Sequence, residues 1–311
     1  MKRNFLFPGQ GAQYPGMCKD FFDKSETVKD LFTIADKVTG RDLKSLLFDG
    51  SVEDLKQTEN TQIAVTLTNL SIRRYLIENG IIADGTAGFS LGEFSAMVEA
   101  GILTEEQVLP MVIERGEIMA RVAKENPALA GGSAMAAVIG MSSVDVSSHV
   151  EAIKDAYAAN FNAPTQTVIS GTSAGIEAAT AKLKEAGARR IIPLKVSGPF
   201  HTPLLNDAMK YFVEYLSGIE FKDPLKPMYS NVTGKRVGSG VEAKELSGLQ
   251  IISPVKWIDI ESNIISEGFD SCIEVGPGKT LTGFWKSAST EIKCLQTGTV
   301  EVTGEINAIR R

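Results

Sequence analysis

A five-residue pattern, Gly88-Phe89-Ser90-Leu91-Gly92, contains the first residue that could do chemistry. A nucleophilic serine must project from a sharp turn between a strand and a helix, where glycines on either side relieve the crowding. The same turn places backbone N–H groups at a helix N-terminus, where they can stabilise an oxyanion. A serine that only turns the chain and caps a helix would give the same pattern. The extended segment before Ser90 and the helical segment after it favour a nucleophile.

A serine nucleophile needs a base, and the chain contains only two histidines, His149 and His201. His149 lies in a polar helical stretch, where we expect a solvated surface side chain. His201 follows a predicted strand and precedes a predicted helix, with Thr202 as a candidate cap and Pro203 in the first turn. A helix N-terminus disfavours imidazolium, so the ring would stay neutral and accept a proton. We therefore predict His201 as the base; the alternative is a histidine that only satisfies a loop hydrogen bond.

Arg115 lies in an apolar stripe of a predicted helix. The stripe consists of Val108, Val112, Met119 and Val122, at spacings of four, seven and three residues. A guanidinium on a buried face needs an anionic partner, because an unpaired buried charge is costly. Two partners are possible at this stage: a carboxylate of the chain itself, in a structural salt bridge, or the carboxylate of a substrate.

Two glycine-rich segments resemble nucleotide-binding motifs, but each lacks a required residue. In the segment 276–280, GPGKT, the first glycine of a phosphate loop would fall at Ile273. The segment 9–11, GQG, lacks the third glycine of a dinucleotide fingerprint, because Tyr14 stands there. We therefore expect no nucleotide cofactor.

The composition limits the partners and the compartment. The 311 residues are 43% hydrophobic and 23% charged, with a net charge of −6 and scattered basic residues. This predicts no nucleic-acid partner and no membrane partner. The three cysteines, Cys18, Cys272 and Cys294, are odd in number and form no CxxC pair, which predicts a cytoplasmic protein without a metal site.

The elements that would position these residues alternate between strand and helix, which predicts an α/β fold. The predicted strands cover residues 3–7 and 83–89, and the predicted helices cover 21–38, 61–78 and 91–100. A further helix follows Thr104, which forms a capping-box pattern with Gln107, and Pro110 would kink it or mark a later start.

The middle of the chain predicts an inserted subdomain. Strands at 134–140, 159–161, 167–171 and 190–196 and helices at 143–158 and 173–186 follow the order βαββαβ of a ferredoxin-like unit. Gly131-Gly132 before it and Gly198-Pro199 after it are natural boundaries. We therefore predict a small subdomain at 128–197 within a larger domain formed by 1–127 and 198–311.

Ordered motifs along nearly the whole chain carry a family resemblance. They are 7–13 (FPGQGAQ), 88–96 (GFSLGEFSA), 114–116 (ERG), 162–164 (NAP), 198–201 (GPFH), 230–234 (SNVTG), Gln250, 254–257 (PVKW) and 274–278 (EVGPG). In this combination the chain resembles the malonyl-CoA:acyl carrier protein transacylases and their relatives in polyketide synthesis. The resemblance implies a hydrolase-like α/β domain with a parallel sheet that carries the ferredoxin-like subdomain.

The resemblance also implies a ping-pong mechanism. Ser90 would attack the thioester of malonyl-CoA with His201 as base, and the malonyl ester would then pass to the phosphopantetheine thiol of an acyl carrier protein. The backbone N–H groups of Gln10 and Leu91 would form the oxyanion hole. Coenzyme A is then part of a substrate, and no cofactor is expected.

The remaining site residues follow from the same resemblance. Arg115 would bind the malonyl carboxylate, and Gln250 would orient the histidine through its backbone carbonyl, in place of the aspartate of a hydrolase triad. Asn162 would lie near the pocket. Phe200 resembles the residue of malonyl-selective relatives, since its bulk should exclude an α-methyl branch. Phe89 departs from the family, which usually has histidine before the nucleophile, and this departure affects the packing under the elbow and the acyl selectivity.

Three other functions stay open from the residues alone. An esterase would share the serine pattern but should have a histidine near its C-terminus, and none follows His201. A patatin-like hydrolase would need a downstream Asp-Gly motif, of which there is no convincing example. A non-enzymatic carrier-binding scaffold with a vestigial dyad would not need the intact set of Gln10, Ser90, Arg115 and His201. Basic residues at Lys182, Lys184, Arg189 and Arg190 would either dock an acidic carrier or form a solvated face.

Overall fold

The computed structural model describes residues 1–303, which combine a parallel and an antiparallel sheet. Within these residues the strands are β1 (Arg3–Phe7), β2 (Gly85–Gly88), β3 (Ser133–Ile139), β4 (Ala156–Ala163), β5 (Gln166–Thr172), β6 (Arg190–Leu194), β7 (Met228–Tyr229), β8 (Ser271–Glu274) and β9 (Lys293–Gln296). The α-helices are α1 (Lys19–Lys24), α2 (Glu26–Thr39), α3 (Leu43–Phe48), α4 (Thr58–Glu78), α5 (Gly92–Glu99), α6 (Glu105–Glu125), α7 (Ser143–Glu151), α8 (Ser173–Glu185), α9 (Asn206–Leu216), α10 (Gly240–Leu249), α11 (Trp257–Ser266) and α12 (Thr280–Ala288). The predicted α/β class is confirmed.

The parallel sheet has the strand order β7-β2-β1-β8-β9, and each pair of neighbours is parallel. Its central strand β1 is buried from Asn4 to Phe7, as expected for a parallel strand covered on both faces. Phe7 pairs with Gly88 at the carboxyl ends of β1 and β2. The loop after β1 and the turn that contains Ser90 therefore start side by side.

The antiparallel sheet has the order β4-β5-β3-β6, and its elements follow the predicted βαββαβ order of a ferredoxin-like unit. Helices α7 and α8 cover one face of this sheet, where Val146 and Leu183 pack with Val138. Met135 and Val168 point to the opposite face and join the core of the larger part. The central strands β3 and β5 are therefore covered on both faces, whereas the edge strand β6 is mostly exposed. The subdomain boundaries at 128–197 stay a prediction.

Two backbone hydrogen bonds join the edge strand β4 to the larger part. The Phe161 N–H donates to the Val255 carbonyl and the Val255 N–H donates to the Ala159 carbonyl, both at 2.9 Å. This bridge fixes the segment after α10 against the small sheet.

The single helix predicted at 21–38 is wrong, because the structure has two helices here, separated at Ser25. This residue is extended (φ −129°, ψ 123°), and its hydroxyl accepts a hydrogen bond from the Val28 N–H at 3.3 Å. Serine side chains compete with the helix for backbone donors and so favour caps over helix interiors. Ser25 therefore ends α1 and caps α2.

The helix predicted at 143–158 is too long. Helix α7 ends at Glu151, Asp155 adopts a positive φ of 57°, and β4 begins at Ala156. Residues 156–158 pair with β5 in the small sheet. Pairing with the next strand, β5, therefore overrides the local helical pattern.

The predicted capping box at the start of α6 is confirmed. The Thr104 hydroxyl accepts from the Gln107 N–H at 3.2 Å, and the Gln107 side chain accepts from the Thr104 N–H at 2.9 Å. The helix continues through Pro110 to Glu125, so the proline does not mark a later start. No helix among residues 1–303 is long and apolar enough to cross a membrane.

Candidate active site

Ser90 lies in a sharp turn between β2 and α5 and has a positive φ of 50°. Such a conformation is strained for a residue with a Cβ and is typical of functional sites. Glycines make the turn possible: a Cβ on Gly88 would collide with the Gly92 carbonyl, and a Cβ on Gly92 would collide with the Phe7 carbonyl. The turn therefore has the geometry that the five-residue pattern predicts.

The loop after β1 brings Gln10 to the same place. A Cβ on Gly9 would collide with the Phe89 carbonyl, and Gly11 has a φ of 102°, so both neighbours of Gln10 need to be glycine. Within residues 1–303, neither the Gln10 N–H nor the Leu91 N–H donates a hydrogen bond to the protein. Two backbone donors beside Ser90 are thus available to an oxygen atom of a bound molecule.

His201 forms a hydrogen-bonded pair with Ser90. The Ser90 Oγ lies 2.7 Å from His201 Nε2, and His201 Nδ1 lies 2.9 Å from the Gln250 carbonyl and 3.2 Å from the Ser253 carbonyl. Carbonyl oxygens only accept, so Nδ1 carries the proton, and Nε2 accepts from the Ser90 hydroxyl. The two backbone carbonyls occupy the position that a carboxylate has in a serine triad.

Burial keeps His201 neutral. Burial, together with the charge of Arg115, lowers the pKa of His201 to about 4, although the two carbonyl hydrogen bonds act in the opposite direction. The predicted cause, a helix N-terminus capped by Thr202, is wrong, because the Thr202 hydroxyl donates to the Pro199 carbonyl at 2.7 Å and a single 3₁₀ turn (Pro203–Leu205) follows. His201 is nevertheless neutral at pH 7, as a general base must be.

Arg115 is buried on α6 and reaches the same cavity. Its Nη1 donates to the Gln62 Oε1 and its Nη2 to the Gln250 Oε1, both at 2.9 Å, and its Nε has no partner within the described residues. Burial lowers the pKa of Arg115 to about 10, so the group stays charged at pH 7. The structural salt bridge is not present, because no carboxylate of residues 1–303 lies within 4.0 Å of this guanidinium.

Two residues that sequence analysis did not select, Glu93 and Asn231, hold the serine turn in place. Asn231 Oδ1 accepts from the Ser90 N–H and Asn231 Nδ2 donates to the Gly88 carbonyl, both at 2.6 Å. Glu93 accepts from the Asn231 N–H at 3.1 Å and from the Gln250 side-chain amide. The sequence signal for Glu93 is an acidic residue in the mostly apolar helix that follows the serine, within the motif 88–96.

Glu93 is almost fully buried, at 2% exposure. Burial raises the pKa of Glu93 to about 7, while hydrogen bonds from Gln250 and Asn231 and the Arg115 charge act in the opposite direction. Both carboxyl oxygens face N–H donors, which suits an ionised carboxylate because that form only accepts.

A cavity of about 130 Å³ opens beside the dyad. Its walls are formed by Gln10, Phe89, Ser90, Leu91, Arg115, Met119, Met135, Asn160, Val168, Leu194, Val196, Phe200 and His201. The resemblance places Asn162 near the pocket, but the wall contains Asn160, two positions earlier on β4, and not Asn162. The cavity is mostly apolar, with one charged group at its surface.

Phe89, next to the nucleophile, is part of the cavity wall. Its ring packs edge-on against Trp257, with 5.4 Å between the centroids, and lies 5.9 Å from the Phe284 ring. The residue that replaces the usual histidine of the resemblance is thus part of an aromatic cluster that extends to α11 and α12. Phe200 lines the cavity beside His201 and is 8% exposed.

Comparison with known proteins agrees with this geometry. A model of the acyl transferase domain matches residues 4–304, and the chain belongs to this family. The malonyl CoA-acyl carrier protein transacylase of Bacillus subtilis (strain 168) is 39% identical over 296 residues, which cover 94% of this chain and 92% of the relative. The resemblance inferred from the motifs is confirmed.

Solved structures share the fold. An acyl carrier protein S-malonyltransferase from Vibrio cholerae superposes with a TM-score of 0.93 at 35% identity, covering 98% of this chain and 100% of the relative. A malonyl-transacylase in complex with a type II PKS acyl-carrier protein has a TM-score of 0.93 at 32% identity, covering 100% of this chain and 99% of the relative. The hydrolase-like domain with a ferredoxin-like subdomain is therefore the fold of this family.

Proposed function

We propose that the protein transfers the malonyl group of malonyl-CoA to the phosphopantetheine thiol of an acyl carrier protein, in the cytoplasm and without a cofactor. The observation that carries this proposal is the buried Arg115, without a carboxylate partner in residues 1–303, on the wall of the cavity that also contains Ser90 and His201. A cation in that position selects an acyl group with a terminal carboxylate. The printed names of the relatives describe the same reaction.

In the first half-reaction the Ser90 oxygen attacks the thioester carbonyl and His201 Nε2 takes its proton. The 2.7 Å hydrogen bond is the path of that proton, and the two carbonyls that accept from Nδ1 stabilise the imidazolium that forms. The negative charge on the carbonyl oxygen is taken up by the Gln10 and Leu91 N–H groups. Collapse of the intermediate breaks the C–S bond, and the coenzyme A thiolate leaves with the proton from His201.

The second half-reaction runs the same steps with another thiol. His201 takes the proton of the carrier thiol, whose sulfur attacks the malonyl-Ser90 ester. The ester C–O bond breaks, and the proton returns to the Ser90 oxygen. The apolar walls of the cavity limit access of water to the ester, which favours transfer over hydrolysis.

The Arg115→Gln variant is expected to load malonyl on Ser90 roughly a hundredfold more slowly, because two charge-assisted hydrogen bonds to the acyl carboxylate are lost. Loading from acetyl-CoA, which has no carboxylate, should change by less than about tenfold. The measurement is the single-turnover rate of Ser90 acylation with each thioester. The matched control is Arg121→Gln, on the same helix but exposed beside Tyr211. Equal losses with both thioesters would refute the carboxylate role.

The proposed function is tested by the fate of the acyl-enzyme. Wild-type protein loaded with radiolabelled malonyl-CoA is freed of coenzyme A and divided between buffer, apo-carrier and holo-carrier. Label should move to the holo-carrier within seconds and stay on the protein in the other two samples, because only the holo-carrier has the acceptor thiol. Rapid release of free malonate in all three samples would identify a hydrolase and overturn the proposal.

A second candidate acceptor is a polyketide carrier protein, which is favoured by the solved relative in complex with a type II PKS acyl-carrier protein. Fatty-acid and polyketide holo-carriers offered together to the loaded enzyme would compete for the label. The carrier that receives more label has the larger kcat/KM and is the preferred acceptor.

A further inference from the structure

Glu93 is a buried carboxylate that lies outside the cavity wall, yet its hydrogen bonds lead to two residues that line the cavity. Through Asn231 it is connected to the Ser90 backbone, and through the Gln250 side chain to both Ser90 and Arg115. The chemistry proposed above uses the Gln250 backbone carbonyl only. The side chain of Gln250 and its carboxylate partner therefore need a separate explanation.

The donors and acceptors around Gln250 allow only one orientation of its side-chain amide. Arg115 only donates, so the Gln250 oxygen must face it, at 2.9 Å from Nη2. The Gln250 nitrogen then donates to the Ser90 carbonyl at 3.1 Å and to the Glu93 carboxylate. Because an ionised carboxylate only accepts, Glu93 fixes the same orientation from the other end.

Arg115 is held by two amides, and only one of them is anchored to a charge. The nitrogen of Gln62 has a weak partner, the Met119 sulfur at 3.8 Å. The nitrogen of Gln250, in contrast, is bound by a carboxylate, and hydrogen bonds to charged groups are about twice as strong as those between neutral groups. The position of the Arg115 guanidinium therefore depends more on its hydrogen bond to Gln250 than on its hydrogen bond to Gln62.

We propose that Glu93 is a positioning residue that determines acyl specificity: through the Gln250 side-chain amide it holds the Arg115 guanidinium in the orientation that binds the acyl carboxylate. The inference rests on the proposed function, because it needs malonyl as the acyl group. Gln250 then has two separate roles: its backbone carbonyl accepts from His201, and its side chain orients Arg115. Loss of Glu93 then reduces selectivity for malonyl more than it reduces the reactivity of Ser90.

The Glu93→Gln variant tests this inference, because it keeps the shape but offers only one accepting oxygen to the two N–H donors. The ratio of malonyl to acetyl loading rates should fall about tenfold, the value of one charge-assisted hydrogen bond. The rate of Ser90 modification by phenylmethylsulfonyl fluoride, a neutral serine reagent, should fall much less. In an Arg115→Gln background the same substitution should leave the ratio nearly unchanged, since the coupled group is already absent.

Glu261→Gln is the matched control. Glu261 is also a buried carboxylate; it accepts a hydrogen bond from the Trp257 indole N–H at 2.9 Å and forms none with Gln250 or Arg115. Its substitution should leave the loading ratio unchanged. Gln250→Met is the second variant if Glu93→Gln fails to fold, because it keeps the carbonyl for His201 and removes only the amide; it should lower the ratio by a similar factor.

Three results would overturn the inference. They are an unchanged ratio in Glu93→Gln, an equal fall of malonyl loading, acetyl loading and reagent modification, and effects of Glu93→Gln and Arg115→Gln on the ratio that multiply independently. If one of these results is found while the wild-type protein still prefers malonyl, the inference is wrong and the proposed function stands. A wild-type protein that does not load malonyl contradicts both.

Discussion

Replacement of Ser90 by alanine is expected to abolish formation of the malonyl-enzyme and transfer to the carrier protein. Without the Oγ there is no atom to form the ester, and loss of a serine nucleophile reduces turnover by roughly 10⁴-fold or more. His201, Arg115 and both oxyanion donors would remain in place, so binding of malonyl-CoA should persist. Intact mass after incubation with malonyl-CoA measures the ester directly, and equilibrium binding of malonyl-CoA measures the remaining affinity.

The matched control for this substitution is Ser95→Ala, in the helix that starts at the serine turn. Ser95 is buried, and its hydroxyl lies 3.3 Å from the Asn69 side-chain nitrogen, away from the cavity. It should load malonyl at nearly the wild-type rate. A stable malonyl ester on the Ser90→Ala protein would contradict the assignment of the nucleophile.

The His201→Gln variant is expected to lose about 10²- to 10⁴-fold in the rate of Ser90 acylation, which is the usual contribution of a general base. Glutamine can donate to the Gln250 and Ser253 carbonyls, but its amide cannot take a proton from the serine at neutral pH. Single-turnover acylation with malonyl-CoA is the measurement. His149→Gln, at the other histidine of the chain, is half-buried on α7 and provides the control with no expected loss.

The pH dependence gives a second measurement of the same base. Because burial and Arg115 lower the pKa of His201 to about 4 from an ordinary 6.5, the ring stays unprotonated through the neutral range. Modification of Ser90 by a neutral serine reagent should therefore be constant between pH 8 and 6 and decline only as the pH falls toward 4. A decline centred at 6.5 would show a solvated histidine and contradict the buried dyad.

The residues that carry the chemistry could be found from the sequence because each is unusual where it stands. Ser90 lies between two glycines, His201 is one of two histidines, and Arg115 interrupts an apolar stripe. These are local patterns, and the structure places all three on one cavity. The order of strands and helices was predictable for the same reason, since hydrophobic periodicity is also local.

The hydrogen bonds that hold those residues were not predictable. Glu93 contacts Asn231 across 138 positions of the chain and Gln250 across 157, and no local pattern reports such a contact. The two errors in helix assignment have a related cause. At Ser25 a side-chain hydrogen bond ends a helix within an otherwise helical pattern, and at 156–158 a strand partner outside the segment decides its conformation.

The two sheets contribute different properties to the cavity. Ser90, His201 and Arg115 belong to the part built on the parallel sheet. The antiparallel sheet adds the apolar side chains of Met135, Val168 and Leu194 and the uncharged amide of Asn160. The charged group of the cavity is therefore encoded outside residues 133–194, which contribute only uncharged parts of the wall. Divergence within residues 133–194 can change the acyl chain that fits while leaving the reaction and its preference for an acid intact.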